Sequence, residues 1–203
     1  MANLIIKSSA DNLVLQGSDA SPAITVGATG TTTFAENATF SGTANNLGTT
    51  TAGALSSGVT FPAGHVLQTV IETNSTETST TSTSFAEVNA GLSPTITPSA
   101  TSSKILIMAS SGGYITATYY LVHTMYRTRS GESDVNLGNA TWGQALLRNQ
   151  ADTGVTSMGI VYLDSPNTDQ ALTYKLMHRV TGGTGYTNIN ASQGNVVLME
   201  IKG

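Results

Sequence analysis

Residues 104–110, with the sequence KILIMAS, decide the fold of this chain. Successive side chains of an extended strand point to opposite faces, so Ile105, Ile107 and Ala109 share one face and Leu106 and Met108 share the other. An antiparallel strand with one wet face alternates apolar with polar residues, whereas two apolar faces indicate a strand that is covered on both sides. We therefore expect the protein's own core on one side of this strand and a neighbouring subunit on the other.

Further β-prone segments surround this strand, and turn clusters rich in Ser, Gly, Pro and Asn separate them. We predict about nine strands, because no helical periodicity interrupts the pattern. They cover residues 65–72, 84–88, 93–98, 104–110, 116–127, 156–164, 171–180, 186–189 and 196–201. So many short strands in one segment are typical of two packed sheets. The sequence thus predicts an all-β chain with a jelly-roll-like β-sandwich head over residues 65–203.

The composition excludes several classes of function. Charged residues make up only 10% of the 203 residues, and the formal net charge is -4. Nucleic-acid binding by counterion release needs clustered Lys and Arg, so we expect no nucleic-acid partner. The chain has no cysteine, which excludes disulfides and thiolate metal sites. No apolar run approaches the roughly 20 residues of a membrane span, and Lys7 and Asp11 interrupt the apolar start of the chain, so we expect neither membrane insertion nor a signal peptide.

A long stretch between Glu36 and Glu72 carries no charged residue. It is dominated by Thr, Ala, Gly, Ser and Asn, and it holds too few large apolar groups to bury a core of its own. Three copies wrapped around a shared axis would explain both features, because any charge near the axis would be repeated three times and repel. We therefore predict an extended, intertwined trimeric β-stalk over residues 17–64, with axis residues Ile24, Val26, Phe34, Phe40, Val59 and Phe61. The alternative is a flexible linker, although linkers seldom repeat Thr-Phe pairs.

The first 16 residues contain two short apolar runs on either side of a turn-like Ser-Ser-Ala-Asp-Asn segment. A hairpin this small is marginal in isolation, so its apolar residues need a surface on which to dock. We predict a segment that anchors the chain to a larger assembly through Leu4, Ile5, Ile6, Leu13, Val14 and Leu15. An edge hairpin of the same protein is the alternative interpretation.

Several segments resemble virion-associated proteins of tailed, marine cyanophage-like bacteriophages. They are ANLIIKSSADNLVLQGSD at the start, PAGHVLQTV at 62–70, SPTITPSATSSKILIMAS at 93–110 and VVLMEIKG at the end. The resemblance implies a virion surface protein: a homotrimeric fibre that other virion proteins hold by its N-terminal part, with a β-rich shaft and a distal head. The shaft is short for a long tail fibre, which leaves a short fibre or a capsid decoration (cement) protein that stabilises the head lattice as the two interpretations.

Catalysis finds little support in the sequence, and we expect neither an enzyme nor a cofactor. Carboxylates are scattered through the head, with only Glu132 and Asp134 close together, so an acid/base pair for glycan cleavage is not indicated. His123 and His178 have apolar neighbours on their own strand faces, which is typical of buried, hydrogen-bonded histidines. The alternative for His65, His123 or His178 is a metal site on a threefold axis. Spacing alone does not support it, so we predict no metal site.

Glycan recognition is the more plausible chemistry, because sugar rings stack on aromatic faces while their hydroxyls need directed polar partners. The polar segments near residues 127–150 and 186–190 offer such groups. The candidate residues for a host-surface glycan are Trp142, Asn139, Arg129 and Tyr186. The competing interpretation, which is the more frequent one for a lone Trp, buries Trp142 between sheets or between subunits.

Overall fold

The computed structural model describes residues 61–116, 118–148 and 155–203, together with three strands of the preceding segment. The chain divides into two compact units, residues 1–57 and 58–203. The predicted division at residues 16 and 64 into anchor, stalk and head stays a prediction.

The first unit contains a three-stranded antiparallel sheet in the order β1-β2-β3. Its strands are β1 (Leu13–Gln16), β2 (Pro22–Val26) and β3 (Thr32–Phe34). Leu13, Val14 and Leu15 of the predicted anchor lie in β1, while Ile24 and Val26 lie in β2 and Phe34 lies in β3. The remaining anchor residues Leu4, Ile5 and Ile6, and the axis residues Phe40 and Val59, lie outside the described residues.

The second unit consists of two antiparallel sheets, which confirms the predicted all-β sandwich. Sheet 1 contains β4 (Val66–Asn74), β5 (Thr78–Thr80), β8 (Lys104–Ile115), β12 (Thr156–Asp164), β14 (Gly185–Thr187) and β15 (Gly194–Ile201). Sheet 2 contains β6 (Ala86–Glu87), β7 (Thr95–Ile96), β9 (Tyr120–Arg129), β10 (Val135–Asn136), β11 (Ala145–Arg148) and β13 (Leu172–Val180). Two single-turn 3-10 helices, Ala90–Leu92 and Ile189–Ala191, complete the elements of this unit.

The long strands cross repeatedly between the sheets as a jelly roll requires. Sheet 1 has the spatial order β4-β15-β8-β12, and sheet 2 has the order β6-β13-β9-β11 with β7 and β10 beside them. Consecutive strands therefore rarely pair, and the pairs β4·β15 and β8·β15 join distant parts of the sequence. This Greek-key connectivity places the first and last strands of the unit side by side.

The core lies between the sheets and is made by alternate residues of each strand. Ile105 and Ile107 of β8 and Leu198 of β15 meet Leu176 and Tyr174 of β13, and all five are almost fully buried. The prediction that Ile105, Ile107 and Ala109 form the inner face is confirmed. This alternation gives every long strand a defined inner and outer face.

Strand boundaries differ from the sequence prediction where turns compete with β propensity. The strand predicted over residues 116–127 begins at Tyr120. The Tyr119 ring before it packs against Gly182, where a Cβ atom would have no room. The strand predicted over 186–189 ends at Thr187, where Asn188 adopts a left-handed φ of 56°. Strands β5, β10 and β11 are short and were not predicted. Among the described residues no helix is long and apolar enough to cross a membrane.

Candidate functional site

The outer face of sheet 1 carries two continuous rungs of side chains. Strand register aligns Val161, Met108, Val197 and Ile71 in one rung and Leu163, Leu106, Met199 and Thr69 in the next. Seven of these eight side chains are apolar and none is charged. The next rung, Gly159, Ser110, Asn195 and Thr73, is polar but also uncharged. We call the seven apolar residues the apolar face.

Three residues of the apolar face are strongly exposed in the single chain. Val161 is 76% exposed, Ile71 59% and Leu163 49%, and the side chains between them are half-buried. Scattered exposed apolar residues are ordinary on protein surfaces, whereas a contiguous apolar group across four strands is typical of interaction surfaces. The outward position of Leu106 and Met108 agrees with the two-sided apolarity of the sequence.

The outer face of sheet 2 has a different character. Arg148, Arg179 and Lys175 occupy outward positions on β11 and β13, and Glu87 occupies one on β6. The loop 137–144 lies flat on the middle of this face, since a Cβ atom at Gly143 would collide with the backbone of His123 and the side chain of Val122. Polar side chains and a loop thus cover the outer face of sheet 2, whereas no loop covers the apolar face of sheet 1 among the described residues.

Trp142 projects from this loop and is 45% exposed, so it is not buried between the two sheets. Its ring contacts Tyr120 edge-to-face, with centroids 5.5 Å apart and an interplanar angle of 71°. The guanidinium of Arg148 lies over the same Tyr120 ring, 5.4 Å from its centroid. We call Tyr120, Trp142 and Arg148 the tip cluster.

The four predicted glycan residues fall in three separate places. Asn139 belongs to the Trp142 loop, where its Oδ1 accepts hydrogen bonds from the backbone N–H groups of Thr141 and Trp142. Arg129 lies at the opposite end of β9 from Tyr120 and forms an ion pair with Glu132. Tyr186 packs on Tyr114, its cross-strand neighbour on the outer side of sheet 1. Only Asn139 is therefore close to Trp142.

The predicted burial of His123 and His178 is confirmed. The two residues are directly opposite on neighbouring strands, with ring centroids 6.4 Å apart. The Thr187 hydroxyl from sheet 1 lies 3.0 Å from His123 Nε2 and 3.0 Å from His178 Nδ1, and the Ser111 hydroxyl lies 3.3 Å from His123 Nδ1. Burial lowers the pKa of His123 to about 3, helped by the nearby His178, and burial lowers the pKa of His178 to about 4. Both imidazoles are neutral at pH 7.

A charged clamp joins the sheets through three residues that the sequence did not single out. Arg127 Nη1 donates to both carboxylate oxygens of Asp164, at 2.9 and 2.8 Å, and the Tyr174 hydroxyl donates to Asp164 Oδ2 at 2.8 Å. Burial, together with the Asp164 charge and hydrogen bond, raises the pKa of Tyr174 far above its ordinary value. Asp164 lies on sheet 1 and the other two lie on sheet 2, so this contact fixes the distance between the sheets.

The fully buried Glu200 carboxylate also has a structural role. It accepts hydrogen bonds from the backbone N–H and hydroxyl of Ser99, from the Ser103 hydroxyl and from Gln68 Nε2, at 2.6 to 2.7 Å. A carboxylate with this many donors is satisfied as an anion. It ties the 99–103 turn to the last strand.

The carboxylates and the third histidine that the sequence analysis considered, and did not predict as sites, lie apart from one another. Glu132 forms an ion pair with Arg129, whereas Asp134 Oδ2 lies 3.7 Å from Lys175 Nζ. His65 stacks on Phe61 at 4.7 Å near the start of the described head. Within residues 61–116, 118–148 and 155–203, and the three strands before them, no group of three or more His, Asp or Glu side chains could hold a metal ion.

Comparisons with known proteins leave the family open. No protein-family model matches the chain, and no curated protein matches it. Among solved structures it is similar to an Eiger TNF from S. frugiperda, with a TM-score of 0.44 and 8% identity over 65% of this chain and 92% of that chain. It is also similar to a chain of infectious bursal disease virus, Gx strain, with a TM-score of 0.35 and 11% identity over 74% of this chain and 42% of that chain. At these TM-scores neither likeness bears on function.

Proposed function

We propose that this chain is a non-enzymatic structural protein of a phage virion, a homotrimeric short fibre on the particle surface. Residues 1–16 attach it to other virion proteins, residues 17–64 form an intertwined stalk, and residues 65–203 display a β-sandwich head toward the host. The phage assignment rests on the sequence resemblance at both termini and around 62–110. The proposal that the chain self-associates is supported by the apolar face of the head.

The apolar face is the observation that carries this proposal. A chain with a net charge of -4 repels copies of itself in general, but the apolar face has no charge that could oppose contact. Covering Val161, Ile71 and Leu163 removes apolar surface from water, at about 25 cal/mol for each Å² buried. A second copy of the same chain is always present at the right concentration, so identical subunits are the partners that fit best.

The number of subunits follows from the uncharged stretch between Glu36 and Glu72. One large apolar residue in each short segment fills only a narrow axis, and small residues let backbones approach closely. Three copies meet both conditions, and a charge near the axis would be repeated three times at short range. The stalk and the apolar face would then hold the same trimer together at two places.

Substituting one residue of the apolar face tests this proposal. Val161→Asp places a carboxylate at the most exposed position of the face, and we expect it to weaken self-association strongly because each head interface would bury an unpaired charge. Val135→Asp is the matched control, since Val135 is 40% exposed on β10 of sheet 2. Sedimentation of both full-length variants distinguishes them. If Val161→Asp assembles as the wild type does, the apolar face is not the interface.

Virion attachment needs its own experiment. A chain without residues 1–16 should remain soluble and trimeric but should no longer join particles. Attachment of this truncated chain would disprove the anchor assignment. The copy number on labelled particles separates the two virion roles: a few trimers indicate a fibre, whereas dozens to hundreds indicate a capsid decoration protein.

A further inference from the structure

We propose that the tip cluster of Tyr120, Trp142 and Arg148 binds a carboxylate-bearing sugar of a surface polysaccharide. This inference deepens the proposed function, on which it rests, because it names the site and the sugar class that a displayed head would recognise. It also replaces the dispersed set of residues that the sequence suggested, of which Trp142 alone is part of the cluster.

The aromatic part of the tip cluster offers a stacking surface. Trp142 is 45% exposed although its edge-to-face contact with Tyr120 holds it in place. The C–H face of a sugar ring packs on an exposed indole much as another aromatic ring does, and this covers apolar surface without leaving hydroxyls unpaired. An exposed Trp in a defined orientation is therefore suited to a saccharide.

The loop that carries Trp142 is held rigidly. Two backbone hydrogen bonds join Asn139 and Gly143, and Asn139 Oδ1 accepts from the Thr141 and Trp142 N–H groups. The Arg179 guanidinium on β13 donates to the Thr141 carbonyl. Tyr120 is fixed as well, because its backbone N–H donates to the Thr181 hydroxyl at 3.0 Å. Such a preorganised surface loses little conformational freedom when a ligand binds.

The charge of the tip cluster selects an acidic ligand. Arg148 is exposed, and within the described parts of the chain no carboxylate lies at ion-pair distance from it. Arg179, on the same outer face, donates to backbone carbonyls rather than to a carboxylate. Within the described residues, neither of these guanidinium groups has a carboxylate at ion-pair distance, and both place positive charge on this face. Because guanidinium binds carboxylate in a bidentate geometry, a uronic acid is the sugar that uses both parts of the cluster.

The location of the tip cluster suits display. The chain enters the sandwich beside its last strand, where Gly64 N–H donates to the Lys202 carbonyl. Strand β8 starts near this point, since Lys104 pairs with Ile201, and runs for twelve residues, roughly 36 Å, toward the other end. Tyr120 follows the turn at that far end. Within the second unit, the cluster therefore lies at the opposite end of the sandwich from Gly64.

Direct binding measurements on the full-length protein test the inference. The probe is an oligosaccharide of alternating neutral and uronic-acid sugars, and the same oligosaccharide with its carboxyl groups reduced to alcohols is the matched ligand. We expect Trp142→Ala to weaken binding of both ligands at least tenfold, and Trp142→Phe to retain a stacking ring and most of the affinity. Arg148→Gln should weaken binding of the acidic ligand about tenfold but leave the reduced ligand almost unaffected.

Arg129→Gln serves as the control, because Arg129 lies at the opposite end of β9 and pairs with Glu132. The inference is overturned if the wild type binds neither ligand at millimolar concentration, or if the tip-cluster variants bind as the wild type does. Equal losses for acidic and reduced ligand in Arg148→Gln would overturn the acidic-sugar assignment. A trimer that joins virions but binds no sugar refutes this inference alone, whereas a monomer that binds the sugar refutes the proposed function alone.

Discussion

The outer faces of the two sheets differ although the same sandwich carries both. On sheet 1, strands β8, β12 and β15 place Leu106, Met108, Val161, Leu163, Val197 and Met199 outward, without a charge between them. On sheet 2 the outward residues of β13 are Thr173, Lys175, Met177 and Arg179, and a loop covers part of the neighbouring strand β9. One face is composed like an interior and the other like a surface. In the proposed assembly, sheet 1 is covered by other subunits and sheet 2 faces water.

The two outer faces exist only while the two sheets are packed together in one sandwich. Removing the charged clamp between the sheets should destabilise this sandwich most strongly. Asp164→Ala leaves the Arg127 guanidinium partly buried without its partner and removes the acceptor of the Tyr174 hydroxyl. We expect the free energy of unfolding to fall by about 3–5 kcal/mol. Denaturant titration at one fixed protein concentration measures this. Asp169→Ala, at an exposed position, is the control and should change it by less than about 0.5 kcal/mol. A similar small loss for both variants would contradict the clamp.

Acidic pH should have the next largest effect, a fall in the free energy of unfolding of the sandwich. His123 and His178 are neutral in the folded protein down to about pH 4, whereas histidines of the unfolded chain take up protons near pH 6.5. Stability is therefore complete above pH 6.5 and falls as the pH drops toward the lowered pKa values, by about 3 kcal/mol at pH 5.5 for the pair. His178→Gln should reduce this pH dependence by about half, and the exposed His65→Gln serves as the control. A free energy of unfolding that is equal at pH 7.5 and 5.5 would refute the prediction.

Truncating one leucine on each outer face compares directly how much each face contributes to self-association. Leu163 on sheet 1 is 49% exposed and Leu146 on sheet 2 is 50% exposed, so the two positions are closely matched in the single chain. If only sheet 1 is covered, Leu163→Ala should weaken self-association about tenfold, while Leu146→Ala should leave it unchanged. Dissociation on dilution, followed by fluorescence anisotropy, gives both values. Equal effects would mean that the two faces do not differ in function.

Much of the sandwich could be predicted from local patterns. The alternation in 104–110 predicts both the inner face and the bare outer face, and the strand predicted over 156–164 matches β12. The apolar neighbours of His123 and His178 predicted burial because they lie on the same strand faces. Features that depend on residues within one strand are therefore readable from the sequence.

Contacts between distant strands could not be predicted in this way. Arg148 meets Tyr120 only because β11 pairs with β9, and the sequence ALLR of β11 is too short to indicate a strand within a polar segment. Asp164 meets Arg127 and Tyr174 across the sandwich, and Thr187 joins two histidines from the opposite sheet. Such contacts depend on the strand order of the jelly roll, which has no local signature.

Light scattering on the full-length chain tests the central claim, that identical subunits cover the apolar face. The chain has a mass of 20.9 kDa. We expect a single species of about three times that mass at micromolar concentration, and a lower mass for Val161→Asp at the same concentration. A stable wild-type monomer at 20.9 kDa would contradict the account.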